Sequence, residues 1–373
     1  MQMRTHCLLP GFAFLVLLGL PARAAPRALV ESEYIYDTGP YPSCHASTIA
    51  ETPRDGLVAA WFGGSAESHP DVAIYSARRE GGRWTPSRPA ADGVQADGVR
   101  FACWNPVLFQ PRSGPLLLFY KVGPSPERWW GMLKTSEDGG RSWGQARRLP
   151  AGILGPIKNK PIQLADGTIL CGSSAEQIGG AVWRVHLEST ADLGRTWRVV
   201  GPLEAGGFNS IQPSILTYAD GRLQLLCRSQ EMTLTTSWST DQGRSWTPLA
   251  ASGLFNANSG SDAVSLSDGR QLLVYNPRSA GRGGPSSPKA EALGGGEPLV
   301  AGAHKDWGVR WPLVVSVSRD GRHWTGALTL EDKPCRFGYA YPAVIQTRDG
   351  LVHVTYTWNR EKIKHIVIDP ARL

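Results

Sequence analysis

Ser136-Glu137-Asp138-Gly139-Gly140-Arg141-Ser142-Trp143 decides the fold of this chain, because it returns as Thr190-Ala191-Asp192-Leu193-Gly194-Arg195-Thr196-Trp197 and as Ser239-Thr240-Asp241-Gln242-Gly243-Arg244-Ser245-Trp246. Two worn copies end at Trp84 and Trp324. Serine, threonine and aspartate side chains bond the amides of tight turns, and a tryptophan buries a large ring between strands. The aspartates of this motif are therefore expected to hold turns and to do no chemistry.

A second signal alternates with the first. Asp55-Gly56, Ser113-Gly114, Asp166-Gly167, Asp220-Gly221, Asp268-Gly269 and Asp349-Gly350 each lie between apolar, strand-like runs, as in Leu223-Gln224-Leu225-Leu226. Glycine supplies the positive φ that short hairpins require. From hairpin to tryptophan the separations are 29, 30, 31, 26 and 56 residues. The long fifth interval holds residues 279–306, rich in Gly, Pro, Ser and Ala, which read as a surface insertion. Two hairpins per unit make a four-stranded antiparallel sheet, and six units with no helical periodicity between them predict an all-β six-bladed propeller. The sixth unit has only its first hairpin, so the N-terminal segment near Val30 to Tyr36 is expected to supply its outer strand and close the ring.

Residues 1–25 read as an export signal: Arg4 and His6, an apolar run from Leu8 to Leu20, then Ala22-Arg23-Ala24. Residues 26–373 are then one propeller domain of an exported, periplasmic or extracellular protein with no further membrane-spanning run. The 373 residues carry a formal charge of +7, without a basic cluster of the kind that binds nucleic acid. That excess favours an acidic partner. Cys44, Cys103, Cys171, Cys227 and Cys335 show no paired spacing and no CxxC, which implies neither a disulfide framework nor a zinc site. No motif calls for a cofactor or a metal.

In a four-stranded meander, the starts of the inner strands and the ends of the second strands share one face. Eight residues before the hairpins, that face receives Ser47, Asn105, Lys158, Gln212, Gly260 and Tyr341; eight after, Gly63, Lys121, Ser174, Arg228, Asn276 and Thr357. Polar groups gathered where six strands converge predict a central pocket.

The repeated motif resembles the Asp-box of the sialidase (neuraminidase) superfamily, the BNR repeat proteins, and the resemblance to bacterial exo-sialidases spans residues 26–373. In those enzymes an arginine precedes the last Asp-box and a tyrosine follows it, eight residues before a hairpin. Arg310, Ser318-Arg319-Asp320-Gly321-Arg322-His323-Trp324 and Tyr341 before Asp349 match this order. The resemblance makes Tyr341 the nucleophile and makes Arg228 and Arg310 ligands of a substrate carboxylate. It puts His45 where the family has its first arginine and Gln212 where it has the glutamate that takes the tyrosine's proton, and an amide is no base. The acid/base aspartate falls in the loop Gly63 to Asp71, where Glu67 and Asp71 are both candidates.

These positions imply an exo-acting glycosidase that releases a terminal acidic sugar, sialic acid or a uronate-linked residue. Asn105, Lys121, Lys158, Gln212 and Asn276 are expected to line its site with Arg228 and Arg310, and His45, Lys158 and the arginines are placed to favour a phenolate. Two other readings share the scaffold. A uronate-directed lyase would use the same arginines beside a proton-abstracting Tyr341, His45 or Lys158, and a non-catalytic propeller would bind glycans on Trp61, Trp104, Trp129, Trp130 and Trp358.

Overall fold

The computed structural model describes residues 28–53, 56–277 and 310–373. The expected export segment, 1–25, and the insertion, 279–306, lie outside them. Six antiparallel sheets follow one another around a ring. Blade one comprises Ser43–Glu51, Leu57–Gly64, Ala73–Glu80 and Arg83–Trp84; blade two Cys103–Phe109, Leu116–Val122, Trp130–Ser136 and Arg147–Arg148. Blade three comprises Ile162–Gln163, Ile169–Gln177, Val182–Thr190 and Arg198–Val200, and blade four Ser210–Thr217, Leu223–Ser229, Thr233–Ser239 and Ala250–Phe255. Blade five is Asp262–Ser265, Gln271–Tyr275, Leu313–Ser318 and Thr325–Glu331; blade six is Tyr339–Gln346, Val352–Trp358 and Lys362–Ile368. The outer strand of blade six is Leu29–Tyr34, paired antiparallel with Lys362–Ile368, so the N-terminal segment closes the ring as the repeat count requires.

Blade one departs from the pattern in its outer strand, which is broken into Arg83–Trp84 and Arg88–Ala91, both paired to Ala73–Glu80. Pro86, which lies between the two pieces, cannot donate to the ladder, which accounts for the break. The worn motif ending at Trp84 is a two-residue hairpin, with φ of 55° at Gly81 and 79° at Gly82.

The intact motifs hold turns as expected. Asp138 Oδ1 accepts from Ser142 N (2.9 Å) and Ser136 Oγ (2.8 Å), while Ser136 Oγ accepts from Gly140 N (2.8 Å); Asp192, Asp241 and Asp320 repeat the pattern. These donors, led by the Ser142 side chain and amide, hold the Asp138 carboxyl far below the ordinary range. Trp197 packs edge-on against Phe119 of the preceding blade, at 6.2 Å between ring centroids, so the motif also joins neighbouring sheets.

Around the axis, polar side chains at the ends of the second strands reach the inner edge of the next blade. Lys121 Nζ donates to the Pro156 carbonyl, Ser174 Oγ accepts from Gln212 N (3.2 Å) and Arg228 Nε donates to Asn258 Oδ1 (2.7 Å). Asn276 Nδ2 donates to Tyr339 O (3.0 Å), and Thr357 Oγ1 accepts from Ala46 N (3.2 Å). Five of six blades are thus tied forward by a side chain; at Gly63 of blade one the Tyr41 ring fills the space, 2.7 Å from where a Cβ would stand. Deeper in the axis, Asp262 accepts from Lys160 Nζ (3.0 Å), Ser214 Oγ (3.0 Å) and Val344 N (2.9 Å), joining blades three to six. Each buried polar group must find such a partner or cost about 1–3 kcal/mol.

Candidate active site

Four of the six inner strands begin with a bulge. Their ladders skip between His45 and Thr48, Trp104 and Val107, Ile211 and Ser214, and Ala340 and Ala343. The first of the two skipped residues has a left-handed backbone in each case: Ala46 (φ 55°), Asn105 (30°), Gln212 (58°) and Tyr341 (54°). A bulge re-aims a side chain that a regular strand would point into a neighbouring sheet. Left-handed φ at a residue with a side chain costs of order 1–3 kcal/mol, a strain that clusters at functional sites. In blade one the bulge falls on Ala46 and not on Ser47, because the register there is offset by one residue from that of the hairpin.

Tyr341 is buried at the centre of this ring of bulges. Its hydroxyl receives hydrogen bonds from Arg228 Nη1 (2.9 Å) and Gln212 Nε2 (3.1 Å), and among the described residues no carboxylate bonds to it. The Arg228 and Arg310 guanidinium carbons lie 6.0 and 5.9 Å from its ring, and Lys158 Nζ lies 5.5 Å away. Gly260 supplies clearance: a Cβ there would stand 3.1 Å from Tyr341 Cδ2 and 3.2 Å from both Gln212 Oε1 and Lys158 Cε.

The His45 ring is tilted against that of Tyr341, with centroids 4.2 Å apart, and its Nδ1 bonds Thr357 Oγ1 at 2.9 Å. Burial, followed by the charges of Arg360, Arg310, Lys158 and Arg228, pushes its pKa well below the ordinary range, so the imidazole is neutral. Lys158 is buried under the tyrosine and donates to Asn159 Oδ1 (2.8 Å), Ser261 O (3.0 Å) and Pro342 O (2.6 Å). Desolvation brings its pKa down to about 7. Arg310 falls to about 9 through burial first and then through the like charges of Arg360 and Arg228.

The structure therefore brings Tyr341, Arg228, Arg310, Gln212, His45 and Lys158 together. Asn105 stands on the equivalent bulge of blade two. Lys121 and Asn276 stand apart from this cluster: their side chains are buried, Lys121 on the Pro156 carbonyl of the next blade and Asn276 on Pro312 O of its own blade and Tyr339 O of the next, and neither bonds a member of the cluster. The strand position that points Arg228 at Tyr341 points these two into the next blade.

The loop carboxylates separate. Glu67 Oε2 pairs with Arg360 Nη1 at 2.8 Å. Asp71 folds back on its own loop, accepting from Ser65 N (3.0 Å) and Ser65 Oγ and standing 2.8 Å from His69 Nδ1. Partial desolvation works against these bonds, but they prevail and hold Asp71 below the ordinary range.

Two residues of this region, Arg360 and Glu176, escaped sequence reasoning. Arg360 (φ 62°) sits in the turn between the second and third strands of blade six, and its carbonyl accepts from Cys44 N at 2.8 Å, beside His45. Strand direction places that turn on the site face, so the signal was present. Glu176 follows Ser174 on the same side of its strand and is paired across the ladder with Trp183, whose ring lies 5.1 Å from the Arg228 guanidinium carbon. Trp61, by contrast, is fully buried, while Trp104 packs between Phe62 and the half-buried Trp129.

Six four-stranded blades around a polar axis, with Asp-box turns on the opposite face, define a sialidase-type propeller. Residues 55–354 match the BNR repeat-like domain, and the chain belongs to that family. No curated protein matches it in sequence. A protein of unknown function from Dyadobacter fermentans is similar in structure (TM-score 0.69, 18% identity, 91% of this chain and 98% of that one). So are the NanB sialidase of Streptococcus pneumoniae (TM-score 0.66, 11% identity, 93% and 71%) and the intramolecular trans-sialidase of Ruminococcus gnavus (TM-score 0.64, 12% identity, 94% and 99%). At these identities the likeness is one of fold.

Proposed function

We propose that the chain is an exo-acting glycosidase that releases a terminal sugar bearing a carboxylate. The observation that carries this reading is the Tyr341 hydroxyl, held by Arg228 and Gln212 at the centre of converging guanidinium groups. Guanidinium groups that converge on one point repel one another, an anion between them relieves that repulsion, and arginine's planar fork matches a carboxylate. Arg228, Arg310 and Arg360 bind that group. A tyrosine is a fitting nucleophile at an anomeric carbon that already bears a carboxylate, because attack by a carboxylate side chain would add anion-anion repulsion. Neutral His45 packs the phenol ring in place and supplies no charge.

The test is turnover of α-sialosides and of uronate-capped oligosaccharides by the purified protein, reading released sugar and ultraviolet absorbance together. Sugar release without an absorbing product is expected. Tyr341→Phe is expected to lower kcat by roughly 10³-fold or more, with ligand binding by calorimetry retained. An absorbing unsaturated product would establish elimination instead, and binding without any turnover would leave a lectin.

A further inference from the structure

We infer that Glu176 is the acid/base carboxyl of this site, the group that protonates the leaving oxygen and then takes a proton from the incoming water; the inference rests on the glycosidase reading above. Hydrolysis through a covalent intermediate needs a carboxyl that carries a proton at the start, and the structure holds three carboxyls in different states. Asp71 accepts two bonds from Ser65 and faces His69, so its oxygens are committed to the loop as a carboxylate. Glu67 is committed in the same way to Arg360. A carboxylate that anchors a guanidinium positions that arginine and is a poor proton donor.

Glu176 differs in placement and surroundings. On strand Ile169–Gln177 it shares a side with Ser174, whose hydroxyl caps Gln212 N, and Gln212 in turn bonds Tyr341. Across the ladder stands Trp183, and over Trp183 lies the guanidinium of Arg228. Trp183, the ladder partner of Glu176, and the Arg228 guanidinium over its ring thus link the carboxyl to the nucleophile: Arg228 Cζ lies 5.1 Å from the Trp183 ring, and its Nη1 touches Tyr341 Oη. Burial is the largest influence on Glu176 and raises its pKa; Arg228 opposes this, and Glu127 and Glu67 add to it. Asp71 is lowered and Glu176 raised, so of the two carboxyls Glu176 is the one its surroundings favour as a proton donor.

The steps balance. With the phenol proton released to bulk water, Tyr341 Oη bonds the anomeric carbon as the glycosidic C–O bond breaks, and the departing oxygen takes the Glu176 proton. Water then attacks the anomeric carbon, Glu176 carboxylate takes its proton, and the phenolate leaves. The net change is addition of one water across the glycosidic bond.

The experiment compares two substrates with the same acidic sugar, one with an aryl leaving group that departs without protonation and one with a sugar leaving group that needs it. In Glu176→Gln, kcat/KM on the sugar-leaving substrate is expected to fall by roughly 10²–10⁴-fold, against less than about 10-fold on the aryl glycoside. The loss of rate at high pH, which reports deprotonation of the acid, disappears in this variant. Glu176→Asp restores part of the rate, which separates chemistry from misfolding. Glu67→Gln and Asp71→Asn lower both substrates alike. Equal losses on both substrates in Glu176→Gln, a persistent high-pH limb, or a leaving-group split in Glu67→Gln or Asp71→Asn would overturn the assignment while leaving the glycosidase intact. A wild-type protein inert on both substrates would overturn the glycosidase reading itself, and the assignment with it.

Discussion

At the scale of the residue, the site is built by local backbone strain and by absent atoms. Tyr341 and Gln212 are both followed by proline, which disfavours helical backbone at the preceding position, and both take a left-handed φ that lifts them out of the ladder toward the axis. Gly260 leaves the volume they turn into. Gly260→Ala would place a methyl group against the tyrosine ring, the Gln212 amide and the Lys158 stem at once. These neighbours would have to give by a few tenths of an ångström; since a displacement near 1 Å costs about 10²-fold, kcat is expected to fall by roughly 10-fold or less, with the Tm within a few degrees of the wild type. An unchanged kcat would show that close packing does not position Tyr341. Arg228 and Tyr341 were placed on the site face by their eight-residue spacing from a hairpin, which strand length sets, and Arg310 was singled out by the resemblance to the order of arginine, Asp-box and tyrosine in sialidases. Glu176 and Arg360 were not singled out, since a glutamate near a strand end and an arginine in a turn look like ordinary solvated residues until the ring closes around them.

At the scale of the element, one position near the end of the second strand serves two purposes. In each blade but the first it carries a polar side chain that bonds the next blade, and only in blade four does that side chain, Arg228, also reach the nucleophile. Lys121 is the counterpart in blade two. Its ammonium is fully buried on the Pro156 carbonyl, and desolvation lowers its pKa to about 7, partly offset by Glu188. Lys121→Met is therefore expected to destabilise the fold by about 1–3 kcal/mol in denaturant unfolding, leaving KM unchanged. A raised KM with unchanged stability would return Lys121 to the substrate site. The sequence pattern that gathered polar residues on one face was correct about the face. It could not separate those that open to the axis from those that clamp the next sheet, because that depends on the shape of a neighbouring blade.

At the scale of the whole molecule, the ring is held shut where its two ends meet. Glu33 of the closing strand accepts from His365 Nδ1 (2.9 Å), Trp84 Nε1 (2.9 Å) and Arg79 Nε (3.2 Å), and Arg79 also pairs with Glu31 at 2.7 Å. His365 Nε2 in turn meets His353 Nδ1 at 2.9 Å. Burial, followed by the charge of His365, lowers the His353 pKa from an ordinary 6.5 to about 4, with Asp349 and Glu33 opposing and Arg79 assisting. A depressed histidine contributes stability that is complete above the unfolded value and is lost as pH falls from about 6.5 toward about 4, here up to roughly 3 kcal/mol. His353→Gln is expected to flatten the fall in Tm across that window. A wild-type Tm independent of pH between 6.5 and 4 would show that this junction does not set acid stability.

The amino-acid sequence by itself determined the blade count, the four-stranded unit, the closure of the ring by the N-terminal strand and the structural duty of the Asp-boxes. All of these follow from short-range turn chemistry repeated at regular intervals, where hydrogen bonds form within a few residues of one another. Only the tertiary structure decided which polar side chains meet at the axis. Tyr341 lies 113 residues from Arg228 and 129 from Gln212, and Arg360 lies 293 from Glu67. Whether such groups touch is fixed by bulges, by glycine clearances and by the angle between neighbouring sheets, none of which leaves a periodic mark on the chain.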